Sequence, residues 1–411
     1  MTSSVLGVPA PATVVGFAHH HASDGAPVWQ QIPVQLDQRK VVDFGSAPGS
    51  NATAGVTGTV YGTAAIGVTA LQYADANTFV GADSDPLIDA DDELVFMSAD
   101  AGDLRQTGDP VEPAGVVPGS GLRVDLTDSL APRTAGYVYL FRSAGALAPG
   151  AGLDYVAYTF SLTSGAYKTT YKRADGPNAE TSNVHTNNYD IGFTDRWIED
   201  RWQIHAGTAT GVDILDGNKN QFAINYCGRS NATFADAEGA FIANIDGPVR
   251  GIRSYVGANS GPLTQRTHLL SRDRERIVTN LRVHAIQAIM DYLDFSAAAI
   301  GMTYRSQSVP NGVTIDGTLD AVGTGYTSWE AVTGAQGSVI SGSSFQTTIN
   351  PPGGFLAAVT WFQRDQTTPP EAQCWGDSSF YGAAGPFIVP TGGIPDTDPL
   401  ATPLTVTVAA A

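Results

Sequence analysis

Lysine is nearly missing from this chain. Four lysines, Lys40, Lys168, Lys172 and Lys219, stand against eighteen arginines, and charged residues make up only 15% of the 411 positions. The net charge is −18. An acidic surface with so few bases lacks the footprint that phosphate backbones need, so nucleic acid is excluded as the main partner. Anionic membrane surfaces are disfavoured for the same reason. No run of about 18 apolar residues occurs, so no helical membrane span is expected. Cysteine is scarce too, with only Cys227 and Cys374. No CxxC zinc pattern can be built from them, and one disulfide or two thiols are both compatible with the spacing. The first residues, Met1-Thr2-Ser3-Ser4, offer neither a basic start nor a long apolar stretch, so no signal peptide is read. The composition as a whole leads to the expectation of a secreted or cell-surface protein whose leader has been removed, with Cys227 and Cys374 bridged.

Glycine (46) and proline (24) are abundant. Short alternating segments lie between them. Residues 137–142 read Tyr-Val-Tyr-Leu-Phe-Arg, and 155–162 lead through a Thr-Ser-Gly turn into Tyr167–Lys172. Segments 55–61, 66–73, 93–97, 221–226, 277–284, 312–316 and 355–362 follow the same pattern. Aromatic and β-branched residues at period two, bounded by turn residues, predict strands. Helix is expected only at 285–293 and, as an alternative to a strand, at 195–204. The expected fold is all-β, a large antiparallel sandwich or supersandwich behind a smaller N-terminal β module. The expected divisions are 1–125, 126–382 and a proline-rich surface wrap at 383–411.

The charge is uneven. Residues 83–112 hold ten acids and one base, Arg105, which is half the net charge of the chain. Within them Asp89, Asp91, Asp92 and Glu93 gather hard oxygen donors of the kind Ca²⁺ takes, although without an EF-hand glycine. A solvated acidic loop is the plainer reading. Residues 250–284 are the opposite, with seven arginines against Asp273 and Glu275. A hairpin turning at 271–275 places Arg266, His268, Asn280, Arg282 and His284 on one face. Such a face suits a carboxylate-bearing ligand, which arginine grips with two parallel hydrogen bonds. A solvated face with internal ion pairs is the alternative.

Other polar clusters carry less. His19-His20-His21 are three adjacent histidines with loop-like flanks, which cannot all face one ion, so no functional metal is expected there. Asn183–Asp190 holds His185 and Tyr189, a base and an acid in a polar setting. Trp197 and Trp202 beside Asp195, Glu199 and Asp200 could hold a sugar by ring face and edge, or be core tryptophans beside a hairpin loop. No G-x-S-x-G elbow and no phosphate loop occurs, and no organic cofactor is expected.

Ile32-Pro-Val-Gln-Leu-Asp37 followed by Asp91-Asp-Glu-Leu-Val-Phe96 looks like the opening of secreted bacterial β-rich proteins found among carbohydrate-degrading enzymes. Gly247-Pro-Val-Arg-Gly-Ile-Arg-Ser-Tyr255 and the arginine hairpin resemble strands of the galactose-mutarotase-like β-supersandwich, an architecture used by polysaccharide lyases. The resemblance implies a sugar partner, an anionic polysaccharide. A lyase cleaving a uronate-containing glycan by β-elimination needs a carboxylate neutraliser, for which Arg282 and Asn280 are candidates. It needs a base, from His284, His268 or His185, and an acid, from Tyr189 or Tyr304. Arg266, Trp197 and Trp202 would bind substrate. Two other classes stay open. One is a glycoside hydrolase using Asp195 and Glu199; the other is a non-catalytic carbohydrate-binding or surface-assembly protein.

Overall fold

A computed structural model describes residues 13–43, 69–85, 87–131, 135–163, 180–206, 211–223, 240–257, 264–281, 288–320, 322, 327, 329–347, 358–361, 364–366, 380–389 and 404–410. Among them the regular structure is strand, with two single 3-10 turns, Ser98–Asp100 and Ala297–Ala299. The fold is an all-β sandwich of antiparallel sheets, as the alternation predicts. Expected strand 55–61 and the Tyr167–Lys172 half of a hairpin lie outside the described residues, as do Cys227 and Cys374.

The N-terminal part centres on a four-stranded sheet in the order Pro27–Ile32, Val14–His21, Ala135–Arg142, Leu122–Thr127. Residues 125 and 126 lie inside its last strand. One face packs Val14, Ala18, Ile32, Val138 and Leu140 into a core with Ile88. The other face is aromatic: Phe17, Tyr139 and Phe141 pack together with Trp29. Period-two alternation makes both faces possible in one strand.

The larger part sets a nine-stranded sheet against a five-stranded and a six-stranded one. The nine-stranded sheet begins Ala240–Ile245, Arg250–Val256, Thr264–Ser271, Arg274–Leu281, Leu404–Ala410. The five-stranded sheet runs Val212–Asp213, Ile198–Ile204, Tyr189–Asp195, Ser182–His185, Ala157–Thr159. Their shared core joins Tyr189, Ile191, Phe193 and Trp202 to Leu270, Leu293, Met302 and Tyr304.

Two expectations are corrected. Residues 285–293 are not helical: Ala288–Phe295 is a strand of the six-stranded sheet, bonded to Leu215–Ala223 on one side and to Phe380–Ala384 and Pro386–Val389 on the other. Its apolar residues stand at consecutive positions instead of alternating with polar ones, and periodicity cannot tell such a segment from a helix. The described part of 383–411 is strand rather than wrap. Leu404–Ala410 lies between Arg274–Leu281 and Gly337–Thr347, hydrogen-bonded to both.

Candidate functional site

The arginine hairpin forms, but its turn is shorter than expected. Ser271 pairs with Arg274, leaving only Arg272 and Asp273 in the turn. A five-residue turn over 271–275 would have set Arg266 opposite Asn280. The two-residue turn sets it opposite Thr279, with Asn280 opposite Gln265. A shift of one residue moves a side chain to the other face of the sheet. Asn280 therefore does not share a face with Arg266 and His268. Arg282 and His284 lie outside the described residues.

The face that carries Arg266 and His268 points into the sandwich. Both side chains are at most 2% exposed. Arg266 donates to Thr279 Oγ1 at 3.0 Å, Asn218 Oδ1 at 3.1 Å and Asp291 Oδ2 at 3.0 Å. His268 Nδ1 lies 2.7 Å from Glu275 Oε1, and its Nε2 lies 3.0 Å from Tyr255 Oη. Burial, then the cations Arg266 and Arg253, hold this imidazole well below its usual range. Burial pushes the Glu275 carboxyl up to about 7. Burial and the neighbouring Glu275 push Glu199 well up. Nearby, Arg253 grips Glu180 with two bonds of 2.8 and 2.6 Å, both side chains fully buried.

The aromatic candidates are interior as well. Trp197 and Trp202 are 1% and 4% exposed, and Trp197 Nε1 donates to Gly257 O at 2.6 Å. Tyr189 donates its hydroxyl to the carbonyls of Ser271 and Arg274, tying the five-stranded sheet to the hairpin turn. Tyr304 donates to Glu330 Oε1 inside the core. Asp195 and Glu199 are 5% and 2% exposed, and burial raises the Asp195 carboxyl to about 6. Among these interior groups, Arg266, His268, Glu199, Glu275 and Asp291 are neighbours between the sheets.

His185 is different. It sits on the outer face of the five-stranded sheet with its side chain 60% exposed. The residues after it close a tight hairpin. Thr186 Oγ1 accepts the N–H groups of Asn188 and Tyr189, at 3.0 and 2.9 Å. That turn sets His185 directly opposite Asp190, and His185 Nδ1 lies 2.6 Å from Asp190 Oδ1. The second oxygen, Oδ2, lies 3.1 Å from Nε2 of His205, whose backbone N–H is held by Asn188 O at 2.8 Å. One carboxylate thus spans two imidazoles whose ring centres are 5.7 Å apart. The next row on the same face is Asn183, Gly192 and Arg201, which pair in that order across three strands. Gly192 has no side chain to lift Arg201 away; a Cβ there would lie 3.0 Å from Arg201 Nε. Arg201 is half-buried, on the same sheet face as His185 and one row along the strands.

Sequence reasoning finds His185 and misses Asp190 as its partner, His205 and Arg201. A four-residue hairpin loop over 186–189 was the signal for Asp190. Arg201 and Gln203 follow from alternation along 198–204 once that segment is a strand. His205 reaches the site only through the fold. The turn bound by Tyr189 is also the near end of the arginine hairpin. Leu281, at the far end of that hairpin, is seven residues beyond Arg274, about 23 Å along the strand.

The acidic turn is internally bonded. Asp89 Oδ1 accepts Asp91 N at 3.0 Å, and Asp92 accepts the N–H groups of Asp89 and Arg39 at 3.1 and 2.9 Å. One oxygen from each of Asp89, Asp91 and Asp92 lies within 4.8 Å of the others. Glu93 leaves this group. It pairs with Arg39 at 2.8 Å and with Arg250, and Tyr73 donates to it at 3.0 Å.

No family model matches this sequence, and no curated protein sequence matches it. Among solved structures it aligns with the crystal structure of a putative aldose 1-epimerase from Escherichia coli K12, at 11% identity and a TM-score of 0.34. The alignment covers 55% of this chain and 96% of that one.

Proposed function

We propose that this protein is a polysaccharide lyase, secreted or held at the cell surface, that cleaves a uronate-containing glycan by β-elimination on the outer face of its five-stranded sheet. One observation carries the reading. An exposed imidazole, His185, is oriented by a carboxylate at 2.6 Å on the same sheet face as Arg201. With Nδ1–H donated to Asp190, the Nε2 lone pair is directed to solvent and is available as a base. Arg201, with Asn183 beside it, offers the cation and amide that neutralise a uronate carboxylate and make its α-proton acidic. His185 takes that proton, the electron pair forms the new C=C bond, and the bond to the glycosidic oxygen breaks. The same proton returns from His185 to the leaving oxygen. His205 holds the second oxygen of Asp190 and so keeps the carboxylate in line.

The test is ultraviolet absorbance of the conjugated double bond released from a panel of uronate polymers. Wild type should produce it, and His185→Ala should not. No absorbance from any polymer with wild type, or an undiminished rate in His185→Ala, overturns the reading. The second reading is glycan binding without turnover. A cleft of about 370 Å³ on the four-stranded sheet favours it, since Tyr139 and Phe141 line that cleft together with Arg105 and Arg123. Retention of a uronate polymer without new absorbance would select this alternative.

A further inference from the structure

The triple histidine leads to a second site, unrelated to the outer face of the five-stranded sheet. His19-His20-His21 end the strand Val14–His21 and do not form a loop. Alternation then sends His20 to one face and His19 with His21 to the other. On that face the chain returns through the segment 102–112. Gly102 permits the approach, because a Cβ there would run into the backbone of His19, and Asp103 N donates to His19 O at 2.6 Å. The return sets Asp109 over the two imidazoles. His21 Nε2 lies 3.3 Å from Asp109 Oδ2, and His19 Nε2 lies 3.6 Å from the same atom.

Two facts separate this cluster from an ordinary surface ion pair. First, His19 is fully buried, and neither ring nitrogen has a hydrogen-bond partner. An imidazole sealed away from water with both nitrogens unmatched is costly, and the Asp109 carboxylate, 3.6 Å from Nε2 and beyond hydrogen-bond reach, offsets only part of the cost. Its neighbours are Trp29, at 4.8 Å between ring centres, and His21. Second, the spacing of the donor atoms is that of ligands. A tetrahedral metal with bonds of about 2.1 Å has neighbouring ligand atoms about 3.4 Å apart, and 3.3 and 3.6 Å bracket that distance. His21 Nδ1 is 3.9 Å from Asp103 Oδ2, an ion-pair distance too long for a hydrogen bond.

We propose that His19, His21 and Asp109 form a binding site for a divalent transition metal of the Zn²⁺ class. Two imidazoles and a carboxylate suit that class and not Ca²⁺, which takes six or more oxygens. Three protein ligands leave a fourth position, on the side where His21 is 24% exposed. The metal ties the 102–112 segment to the strand beneath it. Arg105, which donates to Asp109 O at 3.3 Å, belongs both to that segment and to the wall of the cleft lined by Tyr139 and Phe141. The site therefore also sets the position of the cleft wall.

The test is zinc titration of the full chain, freed of metal by chelator, read by calorimetry and by the cobalt(II) visible spectrum. Wild type should bind with a tetrahedral cobalt spectrum. Asp109→Asn and His21→Ala, both at partly exposed positions, should each weaken zinc at least tenfold with an unchanged far-ultraviolet spectrum. His185→Ala, which removes a separate cluster of two histidines and a carboxylate, should leave this binding unchanged. Hydrogen exchange in 102–112 should slow when zinc is added to wild type and not when it is added to Asp109→Asn. Absence of binding in wild type, or equal binding in wild type and both variants, would overturn the assignment.

Discussion

His185 and Asp190 face each other across a four-residue hairpin loop, Nδ1 2.6 Å from Oδ1, with the imidazole exposed and the carboxylate partly covered. Asp190→Asn keeps the shape and removes the charge that selects the Nδ1–H tautomer. Turnover on a uronate polymer should fall by roughly 10²–10⁴-fold, the range for loss of an acid–base group or of its orientation. Because His185 is exposed, His185→Ala should change unfolding free energy by less than about 1 kcal/mol. Kinetics and denaturant unfolding of the two variants check both expectations.

Gly192 is the position where Arg201 crosses the sheet. In a strand interior, alanine in place of glycine adds about 0.5–1 kcal/mol by restricting the unfolded chain. Here the new Cβ would sit 3.0–3.2 Å from the Nε, Cβ and Cζ atoms of Arg201 and push the side chain aside. Gly192→Ala should therefore weaken binding of an anionic glycan severalfold while the melting temperature stays level or rises. Arg201→Lys should weaken binding as well, since the two-pronged grip on a carboxylate is lost. Equal affinity in all three proteins would remove Arg201 from the site.

Arg253 and Glu180 are a fully buried pair. Removing one partner strands the other charge in the core, at a cost of about 3–5 kcal/mol. Glu180→Gln should show most of that loss in denaturant unfolding. Replacing both, as Arg253→Met with Glu180→Leu, should recover a large part of it. A single variant within about 1 kcal/mol of wild type would mean that the pair contributes nothing.

Glu330 lies in the core with Tyr304 donating to one oxygen at 2.7 Å, and burial raises its carboxyl to about 8 from an ordinary 4.5. The folded state binds this proton more tightly than the unfolded state does. The associated stability is fully present below about pH 4.5 and is lost as pH rises through 8. Glu275, raised to about 7, acts in the same direction. Glu330→Gln should flatten the decline of stability between about pH 5 and 8, on the order of a few kcal/mol in all. Parallel pH profiles for wild type and the variant would disprove it.

Much of the fold is legible in local pattern. Tyr137–Arg142, Ile198–Ile204 and Arg274–Leu281 alternate along the chain and are strands. Ala288–Phe295 defeats the same method, because its apolar residues stand at consecutive positions and mark no period of two. For the site, the polar run Asn183–Asp190 points to His185, while His205 and Arg201 arrive from the next strand and its end.

The amino-acid sequence by itself determined the all-β character, a hairpin turning somewhere within 271–275 and the separation of acidic and basic segments, since period-two patterning and turn residues act over a few positions. Tertiary structure decided which way each charge faces. Packing of the nine-stranded sheet against its neighbours turns Arg266 inward to Asp291, and Arg253 finds Glu180 seventy-three positions away. Asp109 meets His19 and His21 only because Gly102 lets the chain return against the strand. Side-chain pairing across sheets depends on register and on chain return, and neither is encoded in any short stretch of residues.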